Sequence, residues 1–481
     1  MFKASPNVNS TSSSVESPAN RFYGTVWRWH FYAGLFIIPF MLLLATTGMI
    51  YLFKPQLDVL MYHNQMLVQP VGMMSPYTQQ LEAAQREYPH ATATKFMPSV
   101  AANRSAEVQL TTADERNLTV FVNPYTDQVL GERDEDHNLQ ANARQLHSEL
   151  MIGKVGDYLI ELAACWGLVL LITGLYLWLP RRGVTVWGTL LPRLWSNRRI
   201  FWRDLHAVTG LYGTLLVGFL ILTGLPWTGF WGDTFAQIWN QFPAQMSNEV
   251  PNSTVLTGSL NRNNLQAVPW AVEQLPMPQS KTTGHEHHQG QSGASSITAR
   301  EGIPQGTPVN LNSVIALAQA AGAPAGFSVS FPQDETGVYT VSAFPDDPTQ
   351  ETTMHIDQYS GKVLADVRWQ NYGLVPKVVE MGIAIHMGKY FGLGNQLLML
   401  LACLVVIVLC VSGLVMWWQR RPAGRLGAPK LPGQAPQWRV PMALVAVLGI
   451  VFPLVGFSLV TVLLLDYLVI SRFPVLKRLL N

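Results

Sequence analysis

The sequence predicts an α-helical integral membrane protein that is built by internal duplication and carries two small α+β domains outside the membrane. Three observations support this fold class. The chain of 481 residues is 48% hydrophobic and only 13% charged, a balance typical of membrane proteins with sizeable polar parts. Several apolar runs are long enough to span a bilayer, which takes roughly 20 residues. Two pairs of segments also repeat along the chain without a gap.

The apolar runs define four core membrane helices and a further segment near the C-terminus. They cover residues 26–53, 157–180, 204–227, 394–418 and 440–470. The last run contains Pro453 and Gly456, so it is either one kinked transmembrane helix or a re-entrant hairpin. Residues 1–20 are rich in Ser, Asn and Pro and are predicted to be disordered.

The repeats relate the four core helices in pairs. The segment His147–Arg182 aligns with His386–Arg421, and HFYAGLFIIPFMLLLATTG from His30 aligns with HAVTGLYGTLLVGFLILTG from His206. Each half of the protein is therefore predicted to be a helix, a domain and a second helix.

Short basic linkers predict the orientation of the helices. Residues 181–203 and 419–439 contain several basic side chains and no acid, so they are expected in the cytoplasm together with the N-terminus. The long loops 54–156 and 228–393 are then periplasmic. In each loop a helix, over 75–88 or 310–321, precedes alternating strands, whereas the insertion 245–306 is predicted to be a flexible linker because it is rich in Pro, Gly and Ser.

Four histidines lie at the ends of the apolar runs. His30 and His206 are predicted about one turn inside the cytoplasmic ends, and His147 and His386 just outside the periplasmic starts. A helix of about 20 residues covers roughly 30 Å, so His30 is expected to pair with His206, and His147 with His386. Two imidazoles related by a pseudo-twofold axis suit one planar ligand with two axial bonds, as in haem b. We expect two non-covalent haem b groups, because the chain has no CxxCH motif.

Other residues beside these histidines are candidates for contacts with the same cofactors. Gly34 and Gly210 follow His30 and His206 by four residues, on the same helical face, where they would give a porphyrin clearance. Basic side chains that could pair with haem propionates are Arg28, Arg203, Lys154 and Lys389.

The remaining histidines are interpreted differently. A loose metal site is possible in the insertion at His285, His287 and His288. Surface positions are predicted for His63, His90, His137 and His355. No nucleophile–base arrangement, phosphate loop or dinucleotide fingerprint occurs, so no catalytic side chain is predicted.

Short motifs around the histidines resemble one protein family. They are WRxHFYxGL at Trp27–Leu35, RDLHxxxGLY at Arg203–Tyr212, LHxxLxxG at Leu146–Gly153, and two GLxxWxxRR endings. Together they resemble the PepSY-associated transmembrane (PepSY_TM) family over about residues 22–470, and the two outer domains look like PepSY modules. Members of this family that are similar to the siderophore reductase FoxB are dihaem proteins. The resemblance implies haem at the four histidines and reduction of a ferric siderophore in the periplasm.

The expected function is that of an inner-membrane dihaem electron-transfer protein, a haem-dependent ferric reductase. It would take electrons from the quinol pool or a cytoplasmic donor and reduce a ferric siderophore or another ferric chelate; no nucleic-acid partner is expected. The alternatives are a non-redox PepSY regulatory or binding protein, a proton relay, and a siderophore or metal permease component. A relay or a permease needs polar groups near the midplane, whereas Asp157 and Glu161 lie near the outer edge of their span.

Overall fold

A computed structural model describes residues 18–180, 185–239, 252–261, 267–280, 302–429 and 439–465, with positions 468, 472, 473 and 475. The chain divides into two compact units. The first unit comprises residues 1–42, 162–218 and 405–481, and the second comprises residues 43–161 and 219–404.

The described residues form helices α1 to α13. Their bounds are α1 Pro18–Leu52, α2 Lys54–Met61, α3 His63–Met66, α4 Tyr77–Glu87, α5 Leu139–Glu149, α6 Lys154–Trp178, α7 Arg198–Gly224, α8 Trp231–Trp239, α9 Leu311–Ala320, α10 Leu374–His386, α11 Gly392–Arg420, α12 Arg439–Val451 and α13 Pro453–Leu465. Four of them, α1, α6, α7 and α11, contain stretches long and apolar enough to cross a membrane, so the chain is a membrane protein. Residues 18–20, predicted to be disordered, belong to α1.

The fifth apolar run forms two short helices that fold back on each other. Pro453 begins α13, and its missing N–H cannot continue α12. A Cβ atom at Gly449 would lie 3.3 Å from the Cα atom of Gly456, although seven residues of a continuous helix cover about 10 Å. Each helix has 13 residues, which cover about 20 Å, less than a bilayer requires. The run is therefore a helical hairpin and not a single fifth crossing.

Eight strands of the second unit form one antiparallel sheet. In chain order the strands of the fold are β1 Thr92–Met97, β2 Ala106–Thr111, β3 Asn117–Val122, β4 Val129–Asp134, β5 Asn252–Leu256, β6 Pro276–Pro278, β7 Ser328–Ser330, β8 Val338–Ala343, β9 Thr352–Asp357 and β10 Val363–Arg368. The sheet order is β10-β9-β8-β7-β1-β2-β3-β4. Strands β1 and β7 join its halves, with Lys95 opposite Ser330 and Phe96 opposite Val329. Each extramembrane loop thus supplies four strands of one shared sheet.

Alternation along the strands gives the sheet one apolar face. In β2 the side chains of Ala106, Val108 and Leu110 are buried, and their neighbours are less so. Helices α4 and α9 cover this face, with Ala84 and Ile315 in the same cluster of buried side chains. Burying a side chain such as Ile stabilises the fold by roughly 1.5–3 kcal/mol. These contacts therefore pack both halves of the sheet against one hydrophobic core.

The insertion predicted to be flexible contains ordered elements. Strands β5 and β6 pair with each other, and Val272 and Leu275 join a buried cluster with Val367 and Tyr372. The prediction of a flexible linker is therefore wrong for residues 252–261 and 267–280, because apolar burial offsets the entropy lost on ordering. The histidine tract His285, His287 and His288 lies outside the described residues.

The last strand of each half of the sheet leads to a helix that carries a histidine. Strand β4 is followed by α5, which contains His147, and β10 is followed by α10, which ends at His386. After α10, Gly388 has a φ of 72°, a left-handed conformation that suits glycine. This turn leads the chain from α10 into α11.

Candidate metal centres

The first unit brings His30 of α1 and His206 of α7 together. Their ring centroids are 6.5 Å apart, and the ring planes are inclined at 87°. A metal ion bonded to one nitrogen of each ring, at about 2.0–2.1 Å per bond, would separate the centroids by about 6.3 Å. The observed spacing therefore accommodates one metal ion between the two imidazoles.

The second unit brings His147 and His386 within electrostatic range of each other. The pKa of each imidazole is lowered to about 4, by burial and, for His386, also by the proximity of His147. Both rings are therefore neutral at physiological pH. Neutral imidazole is the form that binds a metal ion.

Each of the four histidines contacts a hydroxyl group on a neighbouring helix. The distances from Nδ1 to the hydroxyl oxygen are 2.8–2.9 Å, for the pairs His30–Thr173, His206–Ser412, His147–Thr47 and His386–Thr223. The same contact therefore occurs twice in each unit.

These hydroxyl groups assign the tautomer of the histidines. Each hydroxyl donates to the carbonyl oxygen four residues earlier on its own helix, at 2.6–2.8 Å. Its oxygen then accepts a hydrogen bond from the histidine, so Nδ1 carries the hydrogen and Nε2 keeps its lone pair. At His206 the Leu409 carbonyl oxygen, which can only accept, also lies 3.1 Å from Nδ1. All four rings therefore present an unprotonated Nε2, the form of nitrogen that can bind a metal ion.

A glycine follows each hydroxyl residue in the sequence and faces the same imidazole. A Cβ atom at the glycine would approach the histidine Cε1 atom to 3.3 Å at Gly174 and Gly48, 3.5 Å at Gly413 and 3.7 Å at Gly224. The Ser or Thr of each dipeptide thus orients the imidazole by a hydrogen bond, and the Gly, which has no side chain, leaves space for the ring. The repeats contain this dipeptide, but its link to the histidines is visible only in the fold.

Each histidine pair supplies only two metal ligands. The described part of the chain contains no group of three or more His, Cys, Asp or Glu side chains that could hold a metal ion. A six-coordinate iron bound by two imidazoles needs four further ligands, which a planar porphyrin provides. The donor set therefore fits haem better than a free metal ion.

The two glycines predicted to give clearance differ in their surroundings. A Cβ atom at Gly34 would meet no other atom within 4 Å, whereas one at Gly210 would lie 3.6 Å from the Leu409 side chain. Gly34 therefore lines open space one turn along α1 from His30, and Gly210 contacts a neighbouring helix.

The four predicted propionate contacts also lie in different surroundings. The Arg28 guanidinium donates to the Pro429 carbonyl oxygen at 2.6 Å, and Arg203 pairs with Asp204 at 2.7 Å. Lys154 is exposed, whereas Lys389 is half-buried. Burial lowers the pKa of Lys389, so the acidic groups near its ammonium compensate the charge only in part.

Arg144 was not predicted and lies on α5, one turn before His147. Burial lowers the pKa of its guanidinium despite the nearby carboxylates of Glu149, Asp136 and Glu135. The surrounding charges therefore compensate it only in part, and a propionate would suit it as an anion. The signal in the sequence is a basic residue at helical spacing from a candidate ligand histidine.

His355 was predicted at the surface and is instead buried. Only 2% of it is exposed, because it lies on β9 inside the sheet, where Nδ1 contacts the Thr340 hydroxyl at 3.0 Å. This histidine is a structural residue of the second unit.

Comparison with known proteins places the chain in one family. No curated protein matches the chain significantly. The family model described as the PepSY-associated TM region matches residues 27–420, which include all four histidines and their hydroxyl partners. The chain therefore belongs to the PepSY-associated TM region family.

Proposed function

We propose that this protein is a dihaem electron-transfer protein of the bacterial inner membrane that reduces a ferric chelate, such as a ferric siderophore, in the periplasm. The observation that carries the proposal is the fourfold arrangement of a histidine, a hydroxyl partner at Nδ1 and a facing glycine. A single buried histidine has many structural roles, but four with the same tautomer and the same neighbours favour metal ligation.

The same arrangement supports an internal duplication. His30 and His206 are equivalent in the aligned repeats, and so are His147 and His386. Each unit therefore contains one copy of the same ligand from each half of the chain. The two halves of the shared sheet would be the two PepSY-like domains, each in the periplasm.

The residues of the chain would hold the two haems in defined ways. His30 and His206 would hold one haem, and His147 and His386 would hold the other. Arg144 and Lys389 would pair with propionates at the second haem. When bound, haem supplies reversible one-electron transfer. Apolar helices surround the imidazoles, and the hydrogen bond at each Nδ1 orients the ring and would tune the iron of a bound haem.

The chemistry of iron chelates suggests the acceptor. Siderophores hold Fe(III) through hard oxygen ligands and release the softer Fe(II) more readily. Reduction therefore frees the metal without cleavage of the chelator. The electron donor would be the quinol pool or a cytoplasmic reductase, since the chain has no flavin or nicotinamide fingerprint.

Detergent-purified protein is expected to contain about two b-type haems per chain in a pyridine haemochrome assay. After reduction by dithionite, a ferric trihydroxamate should reoxidise the protein, and a ferrous-specific chelator should trap the Fe(II) formed. The gallium(III) complex of the same trihydroxamate is the control, because it does not accept an electron. A protein without a Soret band would contradict the proposal and favour a non-redox PepSY function. If the haem stayed reduced after the ferric chelate was added, this class of acceptor would be excluded.

Glycine substitutions in the second unit test whether the position of each imidazole depends on the glycine that faces it. A Cβ atom at Gly48 would lie 3.3 Å from His147 Cε1, tighter than ordinary contact, whereas one at Gly224 would lie 3.7 Å from His386 Cε1. Gly48→Ala should therefore displace the ring and speed haem transfer to apomyoglobin by about fivefold, corresponding to the lower end of overpacking costs, about 1 kcal/mol. Gly224→Ala is the matched control and should transfer haem at the wild-type rate. Equal rates in the two variants would contradict this description of the second site.

A further inference from the structure

A cluster of buried and half-buried ionisable side chains lies in the second unit beside α10. We call it the carboxyl cluster; its members are Glu351, Tyr372, Glu380, Glu273 and Lys389. Glu351, Tyr372 and Glu380 are only 5%, 4% and 2% exposed. Carboxyl groups are seldom buried so deeply unless they are paired, hydrogen-bonded or protonated.

The hydrogen bonds of this cluster are incomplete at one point. Glu380 Oε1 accepts from the Ala271 amide at 2.9 Å, and Glu273 Oε1 accepts from Asn261 at 2.7 Å. The Tyr372 hydroxyl interacts with the Glu351 carboxyl, yet neither Glu351 Oε2 nor the Tyr372 hydroxyl oxygen has a hydrogen-bond partner of good geometry. The Tyr372 hydroxyl can donate to an ionised Glu351 or accept from a protonated one, so this pair can hold the glutamate in either protonation state.

The electrostatic surroundings favour protonation of these acids. Burial, followed by the charge of Glu380, raises the pKa of Glu351, and burial also raises the pKa of Glu380. Burial raises the pKa of Glu273 to about 7. The charged groups that face the cluster from neighbouring elements are Asp346 and Lys54, near Lys389, and Asp233, near Glu273. Lys389 is the basic member, and burial lowers its pKa.

Helix α10 connects the carboxyl cluster to the second histidine pair. Glu380 precedes His386 by six residues on α10, which is about 9 Å along the helix axis. Lys389 follows His386 by three residues and interacts with both Glu351 and Glu380. At this distance one added charge changes the proton affinity of a partly buried group by roughly tenfold.

We propose that the carboxyl cluster is a proton-binding site, in which the pair Glu351 and Glu380 shares one proton while the His147/His386 centre is oxidised, takes up a second proton when that centre gains one electron and releases it when the electron leaves. This inference rests on the proposed function. The electron comes from the donor, dithionite in the test below, and the proton comes from water. Uptake of both leaves the net charge of the buried region unchanged, which avoids the cost of an uncompensated buried charge.

Infrared spectroscopy tests the protonation of Glu351 without any need for haem. Full-length protein at pH 7 should show the carbonyl band of a protonated carboxyl group, and Glu351→Gln should lose part of it. Glu335→Gln is the control, because this carboxylate is exposed in the same unit. If Glu351→Gln does not fold, Tyr372→Phe should shift the same band. A band that neither substitution alters would overturn the proposal.

Redox titration tests the coupling. In the double variant His30→Ala/His206→Ala, which should keep only the second haem, reduction with proton uptake requires the midpoint potential to fall as pH rises. The limit for one proton per electron is about 59 mV per pH unit, the value of a tenfold change for one electron. Glu351→Gln in this background should at least halve the slope, and Glu335→Gln should leave it unchanged. If the midpoint potential had the same pH dependence in the double variant and in both of its derivatives, the coupling alone would be overturned. If the protein contained no haem, the proposed function would be overturned and the coupling with it.

Discussion

His147→Ala and His386→Ala are each expected to remove the same haem, and His30→Ala and His206→Ala the other. The reason is that each unit contains one pair whose Nε2 atoms are left free by hydrogen bonds at Nδ1. Without one imidazole a bound haem would lose one of its two protein ligands. The pyridine haemochrome assay should fall from about two haems per chain to about one in each single variant, and to none when one histidine of each pair is replaced.

Two other histidines serve as controls for this result. His137 has a 76% exposed side chain, and His355 is buried in the sheet. His137→Ala should leave haem content unchanged, and His355→Ala should lower stability without selective loss of one haem. If His30→Ala and His147→Ala abolished the same spectral component, the pairing within units would be wrong.

Thr173→Val is expected to lower the haem affinity of the first unit by about 10–100-fold and to raise the midpoint potential of that haem. Valine keeps the shape of threonine but cannot accept the hydrogen bond from His30 Nδ1, which is 2.9 Å long. The imidazole then loses its orienting partner and donates less electron density to the iron, so the ferric form is less stabilised. Haem transfer to apomyoglobin gives the affinity, and spectroelectrochemistry gives the potential.

The partner histidine offers an internal comparison for Thr173→Val. His206 Nδ1 contacts both Ser412 Oγ and the Leu409 carbonyl oxygen, so Ser412→Ala leaves one acceptor and should have the smaller effect. Thr173→Ser restores a hydroxyl group and should restore both affinity and potential. A potential that stays at the wild-type value in Thr173→Val would contradict the positioning role of this hydroxyl, even if the variant were less stable.

The histidine pairing follows from the sequence to the extent that the repeats reveal it. An ungapped alignment places His30 on His206 and His147 on His386, and helix length separates the two sets. The hydroxyl partners could not be predicted in this way. Thr47 lies 100 positions from His147, and Ser412 lies 206 positions from His206, so no local pattern connects them.

Several predictions failed for a common reason, which is that local composition does not report distant contacts. Residues 267–280 have the composition of a linker, yet Val272 and Leu275 find an apolar surface around Val367. His355 lies on β9, a strand with several polar residues whose side chains are buried in the shared sheet. Arg144 was missed for the same reason, because its burial depends on the packing of α5 within the second unit.

The sequence by itself determined the membrane class, the apolar helices and the aligned histidines, because the length of apolar runs and the alignment of similar segments are read from the order of residues alone. Only the tertiary structure decided which nitrogen of each imidazole is free, which basic groups lie beside the histidines, and how two loops share one sheet. Those features depend on hydrogen bonds and burial between residues far apart in the chain, and the fold brings such residues together through contacts that no short segment encodes.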